Sequence, residues 1–418
     1  MYDLITLPNG VRIVTQAMPG VRTAALGVFI GTGSRHETAG ENGAAHFLEH
    51  MAFKATEHRS ADRLAQDIDT LGGQMNAYTT KEHTCFHARC LDTHLPRVIE
   101  LMCDMLFHAR FLPQEVDTER GVILEEIGMY KDDPADLVYE KLAGAIYKGS
   151  SLARPILGTR RTLSAMDGDW LREYKMNHYR PDRIVVSLAG SFDAAVVEQL
   201  KEGFSALSGT PTPALTPAVY RQDVALKRKA AEQNHLILAF PALSALDSRR
   251  YTQLLLSSVL GGGVSSRLFQ ELREKQGLCY SVYSYVSDYE DVGLLGLYTA
   301  YGKETEGKAL DALCRVTAQL AEHGPDADEL ERAREQAKAN VLMGLESTQA
   351  RMSHMGRSIL LRGSVPDADA ITAAYDAITV EQVKSLAREI FDFSKASLAV
   401  VGKVEDREQY QTALDQFA

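Results

Sequence analysis

His46, Glu49 and His50 stand together in the stretch Gly43-Ala-Ala-His46-Phe-Leu-Glu49-His50-Met-Ala-Phe-Lys54. Two histidines four residues apart on a helix share one face, with Cβ atoms about 5–6 Å apart. Both imidazoles can therefore reach a single metal ion. Glu49, three residues after His46, can bring its carboxylate to a water at the same ion. Zinc held by two histidines and a third protein ligand, with a carboxylate base beside it, is a known arrangement for metal-assisted amide hydrolysis. Three side chains do not complete such a site, so a further ligand has to come from elsewhere in the chain.

A helix facing the first is the natural source. Residues 113–131 read as one long helix: Pro113 suits its first position and Pro134 closes it. Val116, Val122, Ile123 and Ile127 recur at helical spacing along it. Glu119 and Glu126 are seven residues apart, which puts them on one face about 10 Å from end to end. By spacing alone, either can ligate the metal while the other orients a histidine ring. Glu115 and Glu125 project elsewhere and read as solvated charges.

The H-x-x-E-H order at His46–His50, followed by Glu119-Arg-Gly-Val-Ile-Leu-Glu-Glu126-Ile, resembles the pitrilysin family of zinc peptidases. That family includes insulin-degrading enzyme and the mitochondrial processing peptidase. The resemblance implies that His46, His50 and Glu126 bind one zinc ion per chain, that Glu49 is the general base, and that Glu119 supports a ligand from behind. It further implies that the segment Asn76-Ala77-Tyr78-Thr79 is an edge strand on which an extended substrate pairs. The fold it implies is α+β: two similar domains, each a mixed, largely antiparallel sheet covered by helices, paired as a clamshell homodimer. The function it implies is a zinc-dependent endopeptidase acting on unstructured peptides or presequence-like segments in an enclosed chamber. Some relatives have lost hydrolysis and serve as scaffolds or substrate-binding partners, which is the alternative reading.

Between the two metal-bearing segments, helices are expected over 42–53 and 60–71 and strands over 74–80 and 84–90. The segment Leu207-Ser-Gly-Thr-Pro211-Thr-Pro213-Ala-Leu-Thr-Pro217 is rich in proline and reads as a linker. It suggests a zinc domain over 1–208, a linker over 209–219 and a metal-free domain over 220–418. Across the linker there is an internal echo. Residues 163–193 and 375–405 follow the same order of helix, apolar strand and acidic turn, with Gly190 opposite Gly402. No second H-x-x-E-H occurs at the corresponding place, where the chain reads Arg250-Tyr-Thr-Gln-Leu-Leu-Leu.

The second half contains Ser266-Arg-Leu-Phe-Gln-Glu-Leu-Arg273-Glu-Lys-Gln-Gly277-Leu-Cys-Tyr280, a helix with a glycine stop and then a strand. Read from the residues, Arg273 favours a helix C-terminus and Tyr280 is half-buried strand packing. The resemblance gives them another role, holding the substrate backbone and steadying the oxyanion, for which guanidinium and phenol donors are suited. Gly261-Gly-Gly263 lacks the spacing of a phosphate loop; it reads as a hinge or as a short glycine-rich loop of the processing-peptidase kind. His83 and His87, about 13 Å apart if the chain between them is extended, take no catalytic assignment.

Composition narrows the rest. The chain has 418 residues, 45% apolar and 24% charged, which suits two or three globular domains. A net charge of −11 argues against nucleic acid as a partner and is compatible with an acidic chamber that attracts basic peptides. No apolar run reaches the roughly 18 residues of a membrane span, and the first residues lead directly into a strand, so a cytoplasmic location is expected. The five cysteines are odd in number and show no paired C-x-x-C spacing, as reduced thiols would.

Overall fold

The computed structural model describes residues 2–209, 215–404 and 406–418. The chain forms two compact units, one of Met1–Ile127, Arg154–Thr216 and Leu342–Asp367, the other of Gly128–Ala153, Pro217–Val341 and Ala368–Ala418.

In the first unit the strands β1 (Asp3–Thr6), β2 (Arg12–Ala17), β3 (Thr23–Ile30), β4 (Gln74–Thr79), β5 (Thr84–Leu91) and β6 (Ile184–Gly190) form one sheet in the order β1-β2-β6-β3-β5-β4. Only β2 and β6 run parallel; the other neighbours are antiparallel. Strands β3 and β6 are buried almost throughout, so both faces of the sheet need cover. On one face Leu26, Val28, Phe86 and Val186 pack with Phe47, Leu48 and Met51 and with Val98, Leu101 and Met105. On the other, Val14, Ala25, Phe29, Val185 and Ala189 pack under Met352, Met355 and Ile359.

In the second unit β7 (Val224–Arg228), β8 (Asn234–Ala242), β9 (Cys279–Asp288), β10 (Gly293–Tyr301) and β11 (Ser397–Gly402) form a sheet in the order β7-β11-β8-β10-β9. Its one parallel pair, β7 with β11, matches β2 with β6. Met18 N–H bonds to the Gly190 carbonyl and Lys229 N–H to that of Gly402, each at 2.9 Å, so the echo read in the sequence is an equivalence of backbone pairing. Here too one sheet face is covered from far away in the chain: Ile237, Ala239, Ala399 and Val401 pack with Leu137, Val138, Leu142 and Ile146.

The expected cut into 1–208 and 220–418 therefore needs correction. Helix Pro134–Ile146, from the first half of the sequence, covers the second unit's sheet, and helix Thr348–Arg362, from the second half, covers the first unit's sheet. The physical cause is the doubly buried sheet, since the helices local to each half occupy only one face. The proline-rich segment lies partly outside the described residues, at 210–214.

Local expectations fit closely. The helix expected over 60–71 spans Ala61–Thr70, with the Ser60 hydroxyl capping the Arg63 N–H. The long helix runs Pro113–Asp132, but Val122 is exposed and does not belong to its buried stripe of Val116, Ile123 and Ile127. Among the described residues, no helix is long and apolar enough to cross a membrane. All five cysteines are unpaired.

Candidate metal centre

Helix Ala44–Ala52 starts from Gly43, whose φ of +100° suits glycine. A Cβ there would lie 2.8 Å from the Leu157 carbonyl oxygen. Two of the N–H groups at this helix start are taken by Glu37, a residue that sequence reasoning missed. Its carboxylate accepts from Gly43 N and Ala45 N, each at 2.9 Å, and from Asn42 Nδ2 at 3.0 Å. An acidic side chain just ahead of a glycine-started helix was the available signal. Phe47, Leu48 and Met51 anchor one face of the helix in the core. His46, Glu49 and His50 are left on the side that meets helix Pro113–Asp132 and strand β4.

Nε2 of His46 and Nε2 of His50 each lie 3.7 Å from Glu126 Oε2. The three side chains offer ligand atoms that all fall within 4.8 Å of one another. Donors about 2.0–2.1 Å from a tetrahedral ion are themselves spaced by roughly 3.3 Å, so a small contraction closes the set on a metal. Two imidazole nitrogens and one carboxylate oxygen suit zinc or a similar first-row ion. His46 is buried, and burial together with neighbouring His50 pushes its pKa down to about 4. Its ring is therefore neutral near pH 7, as a ligand must be.

Glu119 sits behind this set. Its Oε2 is 3.0 Å from His50 Nδ1 and its Oε1 is 2.5 Å from Lys54 Nζ. Burial would raise the pKa of Glu119, but the hydrogen bonds from Lys54 and His50 outweigh that and hold it below the ordinary carboxylate value. With Glu119 accepting at Nδ1, His50 carries its proton there and turns the lone pair on Nε2 toward His46 and Glu126.

Glu49 occupies a different environment. Its pKa is raised, first by burial and further by the charge of Glu126, while a hydrogen bond from Thr79 works the other way. The Thr79 hydroxyl donates to Glu49 Oε2 at 2.6 Å. Thr79 closes β4, which pairs only with β5 and so forms the sheet's edge. Along that edge the side chains alternate. Ala77 packs in the core beside helix Ala44–Ala52, whereas Tyr78 faces the side covered by helix Thr348–Arg362. Asn76 is exposed, and its Oδ1 accepts the Ala77 N–H at 2.8 Å.

Glu125 is exposed, as its spacing indicated, but Glu115 is not simply solvated. It is half-buried, with both carboxylate oxygens 3.3 Å from the Ala55 N–H just beyond helix Ala44–Ala52. Arg273 and Tyr280 lie in the second unit and do meet each other. The Arg273 guanidinium carbon is 4.6 Å from the Tyr280 ring centre and 4.7 Å from that of Phe269. Tyr280 is 72% exposed, not the half-buried packing residue its strand position suggested. The turn that carries Phe269 and Arg273 is wound as a π-helix over Phe269–Lys275. Phe269 lies four residues before Arg273, a spacing that brings it alongside but that sequence reasoning left unused.

Comparison with known proteins gives consistent matches along the chain. Residues 12–160 match the family described as Insulinase (Peptidase family M16), and residues 166–337 match the Peptidase M16 inactive domain. A Bacillus subtilis protein named an uncharacterized zinc protease, YmxG, is 41% identical over 408 residues, covering 97% of this chain and 100% of its own. An uncharacterized zinc protease of Streptomyces coelicolor is 41% identical over 413 residues, covering 96% and 90%. In fold, the chain is similar to a protease from Helicobacter pylori (TM-score 0.88, 19% identity, 96% of this chain and 99% of that one). It is equally similar to a peptidase M16 inactive domain from Pseudomonas fluorescens (TM-score 0.90, 19% identity, 97% and 98%).

Proposed function

This chain belongs to the insulinase family of peptidases, M16, and on that premise we propose that it is a zinc-dependent endopeptidase cutting extended, unstructured peptides. The observation that carries this reading is the convergence of His46, His50 and Glu126, with Glu49 beside them and raised in proton affinity by burial. The names of the Bacillus and Streptomyces relatives support zinc as the metal. Zinc held by His46, His50 and Glu126 would supply Lewis acidity to a water and to a peptide carbonyl. Glu49 accepts the proton of the attacking water and passes it to the amine that leaves. Thr79 keeps that carboxylate pointed at its work, and Glu119 keeps His50 in the ligating tautomer.

The open edge of β4 recruits the substrate as an added strand, which selects for chains without structure of their own. Arg273 and Tyr280 are donors for the substrate backbone and for the developing oxyanion. The proposal includes a homodimer in which the first unit of one subunit works with the Arg273–Tyr280 pair of the other around an enclosed chamber. It also includes a cytoplasmic location, in keeping with the five unpaired cysteines.

Metal analysis and a peptide assay test the chemistry. The purified protein should carry about one zinc per chain, and His50→Ala should lose it. Glu49→Gln should keep the metal and lose turnover. Near-normal turnover in Glu49→Gln would remove the assigned base, and zinc-free wild type after zinc loading would remove the metal.

A further inference from the structure

Lys54 is the fourth residue after His50 and lies two residues beyond the end of helix Ala44–Ala52. The turn does not stop there: Phe53 N–H bonds to the His50 carbonyl and Lys54 N–H to that of Met51, at 3.3 and 3.2 Å. These tightened bonds keep Lys54 wound against the C-terminal end of the helix, beside His50. Its ammonium reaches Glu119 Oε1 at 2.5 Å, and the opposite oxygen of that carboxylate is 3.0 Å from His50 Nδ1. The next residue repeats the tie, since Ala55 N–H meets both oxygens of Glu115, one turn earlier on the same helix as Glu119. The segment that leaves the metal-bearing helix is thus clasped to the helix carrying Glu126.

We propose that Lys54 is a positioning residue for metal binding, acting through Glu119 on the His50 ring. The inference rests on the zinc reading of His46, His50 and Glu126. A carboxylate held at one oxygen only can swing about its terminal bond. Glu119 is held at both, by a cation on one side and an imidazole N–H on the other. Lys54 also brings positive charge to a cluster in which Glu49, Glu119 and Glu126 lie close together, so Glu119 need not turn toward the metal to find a cation. His50 consequently meets the metal with its ring already oriented, and that order does not have to be established on binding. With a 28% exposed side chain, Lys54 looks like an ordinary surface lysine until its partner is identified.

The test is zinc affinity of the full chain, measured by competition with a chromogenic chelator, with thermal unfolding of the metal-free protein alongside. Removing a partner that orients a ligand typically weakens metal binding by about 10–100-fold. Lys54 acts one step further out, so Lys54→Met should weaken zinc binding by about tenfold, and Lys54→Arg should restore most of it. In a Glu119→Ala background, Lys54→Met should add less than about twofold, because the intermediary is gone. Lys54→Gln serves as the uncharged variant if the methionine form does not fold. Wild-type affinity in the uncharged variant, or a full tenfold loss in the Glu119→Ala background as well, would overturn the role. A wild type that binds no zinc would instead remove the metal reading on which the inference stands.

Discussion

The Thr79 hydroxyl donates a 2.6 Å hydrogen bond to Glu49 Oε2, joining the last residue of the edge strand to the proposed base on helix Ala44–Ala52. The strand that would receive a substrate and the carboxylate that would activate water are thus positioned by one contact. A hydrogen bond to a charged group contributes about 1.5–3 kcal/mol, enough to decide the orientation of a carboxylate. Thr79→Val should lower kcat/KM by on the order of tenfold with zinc content unchanged, and Thr79→Ser should retain activity. Equal rates in wild type and Thr79→Val would mean that Glu49 is held by other means.

Part of the acid sensitivity should come from His36, which is not one of the proposed metal ligands. Burial, reinforced by Arg183, His178 and Arg35, pushes the His36 pKa down to about 3. His36 Nδ1 accepts the Gly33 N–H at 3.1 Å, which requires an unprotonated nitrogen. Because its folded pKa lies below the unfolded value near 6.5, the unfolded chain takes up the proton first. Stability is therefore complete above about pH 6.5 and declines as the pH falls toward 3. The decline is about 2 kcal/mol from this residue by pH 5. Urea unfolding of His36→Gln should show a shallower loss between pH 6.5 and 5 than wild type, and parallel curves would refute the assignment.

Helix Thr348–Arg362 lies close on its sheet where Gly356 faces Phe29. A Cβ on Gly356 would sit 2.1 Å from a ring carbon of Phe29. Alanine gains up to about 1 kcal/mol in helix propensity, yet overpacking a core costs typically about 1–3 kcal/mol, so the clash should win. Gly356→Ala should lower the unfolding midpoint. Gly128→Ala, in helix Pro113–Asp132 where nothing lies within 4 Å, should leave it level or raise it. A stabilised Gly356→Ala would show that the sheet and helix can separate at little cost.

The proposed sharing of one site between two subunits makes a quantitative prediction. Glu49→Gln and the double variant Arg273→Ala with Tyr280→Phe should each be nearly inactive alone. Co-expressed equally, about half of the dimers are mixed, and each mixed dimer has one site with both defects and one with none. Activity should then return to about a quarter of wild type on the same pairing arithmetic. No recovery, with mixed dimers verified by two tags, would place both halves of each site on one chain.

Much of the metal centre was legible in the sequence because helical geometry is local. Spacings of three and four residues put His46, Glu49 and His50 together whatever the rest of the chain does, and seven residues align Glu119 with Glu126. Strands β4 and β5 were legible within a residue at each end, since apolar alternation and turn residues are also short-range signals. Spacing left Glu119 and Glu126 interchangeable and only the resemblance chose Glu126, which the structure does place at both imidazoles. The tertiary structure alone decided that Lys54 and Thr79 hold the carboxylates of Glu119 and Glu49, and that Glu115 grips a backbone N–H. It also decided that helices 134–146 and 348–362 cover sheets formed mainly by the opposite half of the chain. An amphipathic helix shows in its sequence that one face must be buried, but not against which surface. That choice depends on shape and volume, such as the contact of Gly356 with Phe29, between residues more than three hundred positions apart.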